Sequence, residues 1–144
     1  MNGKAIPKKR KGKMKMWIIA VVALLAASVG GGILFTAGER REGRNLPIRA
    51  VDFHSLKDGT YVGEYEGGKY KWRANQVRVT VSSGKVTDIQ LLMHKENRSR
   101  DFTGKLYGRV IESQSLQVDT ISGATITSKA YLKSVENALN EAQK

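Results

Sequence analysis

Asp119, Ser122, Gly123, Ala124, Thr125 and Thr127 fall within nine positions, inside the run DTISGATITS from Asp119 to Ser128. Hydroxyls at this density, just before an amphipathic stretch, have two uses. Ser and Thr at a helix start accept hydrogen bonds from N–H groups that lack an intrahelical partner, which would give Thr127 or Ser128 a capping role. Capping accounts for one hydroxyl. The others, beside a glycine and an alanine that let the backbone approach closely, suit the capture of an anionic group, because a helix start presents free N–H groups and the positive end of its dipole. A phosphate fits such a loop.

Other chemistries are narrowed by composition. The chain has no cysteine, which excludes disulfides, thiolate zinc sites, cysteine-ligated iron–sulfur clusters, c-type haem attachment and a lipoprotein anchor. With His54 and His94 the only imidazoles, no metal site is assigned. Nor does any acid/base pair stand out, and no catalytic residue is assigned. Redox work would need an organic cofactor.

The elements that must position the hydroxyl run follow from periodicity. In QVRVTVSSGKVTDIQLLM, Val77, Val79 and Val81 alternate with polar residues, SSGK supplies a turn with Gly84 available for positive φ, and Ile89, Leu91 and Met93 resume the alternation. The parity slips between Val86 and Ile89, as a bulge or an early strand end would cause. An earlier strand is expected near Tyr61, Val62 and Tyr65, after the Asp58-Gly59 turn. Phe102, Leu106, Val110 and Ile111 recur at helical spacing, and Tyr131, Val135, Leu139 and Ala142 form the apolar stripe of a second helix. Strands followed by helices predict an α+β fold: a small antiparallel sheet with two helices packed on one face.

One N-terminal transmembrane helix is expected ahead of that domain. Residues 1–15 carry Lys4, Lys8, Lys9, Arg10, Lys11, Lys13 and Lys15 and no acid, and the uncharged run from Trp17 to Phe35 follows. As a helix, this run would cover about 28 Å, close to the ~30 Å hydrocarbon core. The basic flank favours a cytoplasmic N-terminus with the remainder outside the cell membrane. A cleaved signal peptide is the rival reading, since small residues such as Ala26, Ala27, Ser28 and Gly30 suit a peptidase. The expected organisation is a basic tail at 1–15, a single-pass anchor at 16–36, a linker at 37–57 and a folded domain at 58–144. The formal net charge is +12; without the seven N-terminal charges, 18 Lys and Arg face 13 acids, a net of +5. The basic excess is largely topogenic, and no nucleic-acid partner is expected.

DTISGATITS resembles the flavinylation motif of the FMN-binding domain family, in which an Asp, two spacers and S-G-A-T precede a further hydroxyl residue and a helix. The resemblance extends over roughly Asp58 to Ala138, through the D-G-x-Y strand opening and the hairpin with its G-K turn. It implies FMN joined by a phosphoester to Thr125, with Ser122, Gly123 and Ala124 as the recognition loop, Asp119 as the motif acid and Thr127 as the second hydroxyl. It also implies maturation by a flavin transferase using FAD and Mg²⁺, and an extracytoplasmic electron carrier between a redox donor and an acceptor, both unidentified. Larger relatives in sodium-pumping quinone reductase and Rnf complexes carry an E-T-P-G-L-G-like stretch where this chain has HKENRSRDFTG. This chain is more similar to small stand-alone members. Tyr61, Tyr65, Tyr70 and Trp72 are aromatic strand-region residues that read as core before flavin contacts, and His94 and Arg98 read as a solvated strand end. Two other functions stay open: a flavin-dependent reductase, and a non-redox exported binding module in which the hydroxyls only cap.

Overall fold

The structure, a computed structural model, describes Gly3 and residues 10–144. Lys4, Lys8 and Lys9 of the expected basic tail lie outside the described residues. The described chain forms two compact units, the first ending at Gly38 and the second running from Glu39 to Lys144.

Helix α1 (Arg10–Arg44) supplies the first unit. By length and composition it can cross a membrane: its apolar window has a mean hydropathy of 2.5 and none of it is buried. The triplet Gly30 to Gly32 stays helical. The helix also runs on through the first residues of the expected linker, where Glu39, Arg40, Arg41 and Glu42 are good helix formers.

The second unit therefore begins well before Asp58. Glu39 is buried, Phe53 and Leu56 belong to the hydrophobic core, and Ile48 and Val51 pack against it. Main-chain bonds hold this irregular segment down: Arg49 N donates to Glu136 Oε2 at 3.1 Å, and Lys57 N donates to the carbonyl of Ala142 at 2.9 Å. Residues 39–57 are part of the domain, in place of the free linker expected at 37–57.

Three antiparallel strands, β1 (Gly59–Tyr65), β2 (Asn75–Ser82) and β3 (Lys85–His94), lie in the order β1-β2-β3. Ser83 and Gly84 form the β2–β3 turn with φ of 54° and 73°, the two positive values that a type I′ turn requires. The Asp58 carboxylate accepts from Ser83 N (3.0 Å) and Gly84 N (2.8 Å), so the D-G opening of β1 braces that hairpin. The parity slip is a bulge at Thr87, between the pairs Thr80–Asp88 and Val81–Val86. A second shift, between Gln76–Met93 and Val77–Leu91, leaves Leu92 unpaired, and Met93 ends up exposed.

Helices α2 (Arg100–Ser113) and α3 (Thr125–Ala142) cover one face, α3 over β1 and β2 and α2 beside β3. The expected stripe of α3 is fully buried at Tyr131, Val135, Leu139 and Ala142, as are Leu106 and Val110 of α2. Gly63 lets β1 and α3 meet closely, since a Cβ there would stand 2.8 Å from that of Ala138. The buried Asn75 side chain donates to the carbonyls of Arg73 (3.0 Å) and Ala130 (3.1 Å) and accepts from Ser134 Oγ (2.5 Å). This network fixes the first turns of α3 against β2.

Candidate functional site

The hydroxyl run forms the turn that launches α3. Ala124 N donates to the carbonyl of Ile121 at 2.9 Å, and Gly123 takes φ of 75°, a value that favours glycine. Ala124 is the residue at the cap and makes no side-chain cap bond. The expectation that Thr127 or Ser128 caps the helix is therefore corrected. Their hydroxyls are engaged otherwise: Ser128 Oγ donates to the carbonyl of Ala124 (2.7 Å) and accepts from Ile121 N (3.1 Å) in the turn just ahead of the helix, and Thr127 Oγ1 accepts from Arg98 Nη2 (3.1 Å).

Thr125 is different. It is the first residue of α3 and is exposed, with Oγ1 3.5 Å from that of Thr120. Ser122 and Gly123 are exposed beside it and Ala124 is half-buried. Asp119 joins the arrangement through its backbone: its carbonyl and that of Thr120 accept from Arg109 Nη1 of α2 at 2.7 and 3.2 Å. Arg109 thereby clamps the run at its upstream end.

Thr125 opens on a cleft of 330 Å³ lined by residues 123–127 together with Arg44, Arg73, Glu96 and Arg98. Three guanidinium groups face one carboxylate there. Arg73 bridges Glu39 (3.4 Å) and Glu96 (3.3 Å), and Arg98 Nε lies 3.6 Å from Glu96. By helix geometry the first N–H groups of α3 lack intrahelical acceptors and add partial positive charge. Lys129, one turn further on, donates to the carbonyl of Arg44 at 2.5 Å, which anchors the end of α1 to α3.

A second cleft, of 760 Å³, lies between β3 and α2, with His94, Arg98, Gly104, Tyr107 and Gly108 in its wall. Arg98 borders both clefts, whereas the sequence reads it with His94 as a solvated strand end. The signal was its place just ahead of the α2 start, but only tertiary packing brings it to Thr127. The Tyr107 and Tyr131 hydroxyls are buried without hydrogen-bond partners. Burial pushes both phenols above the ordinary tyrosine range; Tyr131 adds to the shift at Tyr107, and Glu96 adds to that at Tyr131 while Arg98 opposes it. None of Tyr61, Tyr65, Tyr70 or Trp72 lines either cleft.

Residues 71–140, from just before β2 nearly to the end of α3, match the FMN-binding domain. That segment belongs to the FMN-binding domain family. An uncharacterized protein of Treponema pallidum (strain Nichols) is 29% identical over 142 residues, covering 94% of this chain and 38% of its own. The chain thus spans well under half the length of that relative. The CPE2226 protein of Clostridium perfringens, a solved crystal structure, is 27% identical, covers 61% of this chain and 89% of its own, and superposes with a TM-score of 0.46. The cleft at Thr125 suits the phosphate of FMN: exposed hydroxyl, uncapped helix start, glycine at positive φ and an excess of arginine coincide.

Proposed function

We propose that this protein is a membrane-anchored electron carrier, its N-terminus cytoplasmic and its FMN-binding domain outside, holding FMN as a phosphoester of Thr125. The observation that carries the reading is the exposure of Thr125 at an uncapped helix start facing an arginine-lined cleft. FMN, when bound, supplies an isoalloxazine that takes up and releases one or two electrons.

The chain's own residues tether, orient and neutralise. Thr125 Oγ1 would carry the phosphoester, its proton replaced by the FMN phosphorus when a flavin transferase delivers FMN from FAD and AMP leaves. Gly123 and Ala124 keep the approach to that hydroxyl open. Arg44, Arg73 and Arg98 offset the phosphodiester charge, and the α3 N–H groups add to their effect. Arg109 holds the Asp119–Thr120 backbone so that Thr125 keeps its direction. The anchor keeps the carrier beside membrane donors, and a covalent link retains the cofactor without a deep enclosing pocket.

Full-length protein produced with a flavin transferase tests this. The expected product is yellow, with flavin fluorescence that survives denaturing electrophoresis. Thr125→Ala abolishes that band and Thr127→Ala retains it. A fluorescent Thr125→Ala protein would move the attachment to another hydroxyl, and an unlabelled wild type in cells that flavinylate a control protein would contradict covalent attachment.

A further inference from the structure

The connection between β1 and β2 carries Lys69, Tyr70, Lys71, Trp72 and Arg73 in succession. It turns at Gly67 and Gly68, with φ of 91° and 80°. The rings of Tyr70 and Trp72 stack at 5.4 Å, Lys69 Nζ lies 5.4 Å from the Tyr70 centroid, and Trp72 is 43% exposed. A large indole and two lysines are thus displayed on one hairpin tip.

The tip is pinned to a particular place in the chain. Tyr70 N donates to Glu39 Oε1 at 3.0 Å, and Arg73 Nη1 to Glu39 Oε2 at 3.4 Å, with Glu39 buried beneath them. Glu39 comes four residues after Phe35, where the uncharged run ends. Four residues span at most about 14 Å of chain, and the headgroup zone is about 5 to 8 Å thick on each side of the hydrocarbon core. The chain path from the end of the uncharged run to the residue that pins the tip is therefore short. Arg40 and Arg41, next to Glu39, are exposed as well.

We propose that Trp72 and Tyr70, with Lys69, Lys71, Arg40 and Arg41, form a contact with the phospholipid surface on the side where the anchor emerges. The inference rests on the anchored reading above. Indole and phenol rings favour the boundary between headgroups and acyl chains, and lysine and arginine favour lipid phosphates. Arg73, from the same connection, is a wall of the Thr125 cleft, so the contact would hold that cleft at a defined height above the membrane.

The chain has two tryptophans, Trp17 and Trp72, which makes the test direct. Full-length Trp17→Phe protein, with Trp72 as its one indole, is reconstituted into phosphatidylcholine–phosphatidylglycerol vesicles containing lipids brominated near the headgroup. Full-length Trp72→Phe protein reports Trp17 in the same vesicles. The expected result is loss of most Trp72 emission, a blue-shifted spectrum and protection from acrylamide, with quenching reduced in Lys69→Glu/Lys71→Glu. Quenched Trp17 with unquenched, acrylamide-accessible Trp72 would overturn the surface contact and leave the anchor intact. Unquenched Trp17 would overturn the anchor, and this inference with it.

Discussion

α2 and α3 lie on the same face of one sheet, yet they begin in opposite ways. α2 is closed: Ser99 Oγ accepts from Phe102 N at 3.3 Å and Asp101 stands in the first turn, so both a capping bond and a negative charge meet the helix start. α3 is open: Ala124 offers no capping bond, the first turn holds no acid, and arginines gather in front of it. The hydroxyls that could have closed α3 are turned elsewhere, Ser128 to the Ile121–Ala124 turn and Thr127 to Arg98. A hydroxyl-rich run is not by itself a cap. In α3 the run builds a rigid turn and leaves the helix end available to an anion.

The largest effect is expected at Ser128. Ser128→Ala removes the bond to Ile121 N and loosens the turn; we expect a loss of about 2 kcal/mol in the denaturant-derived stability of the domain, the cost of stranding a part-buried donor and freeing the turn. Tyr107 on α2 and Tyr131 on α3 link the two helices through a pH effect. Both phenols are raised in the folded state, so their stabilising contribution is complete below the unfolded value near 10 and is lost as pH rises beyond it toward the folded values. Stability should be flat across neutral pH and fall above about pH 10, and Tyr107→Phe should flatten part of that fall in chemical denaturation at successive pH values.

Ser99→Ala, at the closed helix, should cost about 1 kcal/mol in the same assay and leave flavin loading unchanged. Ala124→Asp, at the open one, should have the smallest effect on stability and the opposite sign. A carboxylate at this start stabilises the unloaded domain by about 0.5 kcal/mol, while in-gel flavin fluorescence falls because the acid occupies the place of the phosphate. Equal loading in Ala124→Asp and wild type would show that the open start is incidental.

Much of the framework was legible in the sequence because periodicity reports one-sided burial. The β2 alternation and the α3 stripe could be read, and the slip in apolar parity between Val86 and Ile89 left a bulge or an early strand end, between which the pairing at Thr87 decides. The shift at Leu92 was masked by the unbroken apolar run Leu91-Leu92-Met93, which has no parity to lose. Residues 37–57 read as a tether since glycines, Pro47 and charges give no period; yet Phe53 and Leu56 are core residues. An irregular segment can be buried without a repeating pattern. At the site, the motif draws attention to Thr125, which is exposed, but Arg44, Arg73, Glu96 and Arg98 come from three separate stretches, and no local pattern announces their meeting.

The open end of α3 is proposed to carry FMN on Thr125. The most direct test is the mass of the tryptic peptide from Val110 to Lys129, taken from full-length protein matured with a flavin transferase. The expected peptide is heavier by FMN less one water, with fragmentation placing the addition on Thr125. An addition on Thr120, Ser122 or Thr127, or an unmodified peptide from cells that flavinylate a control protein, would contradict it.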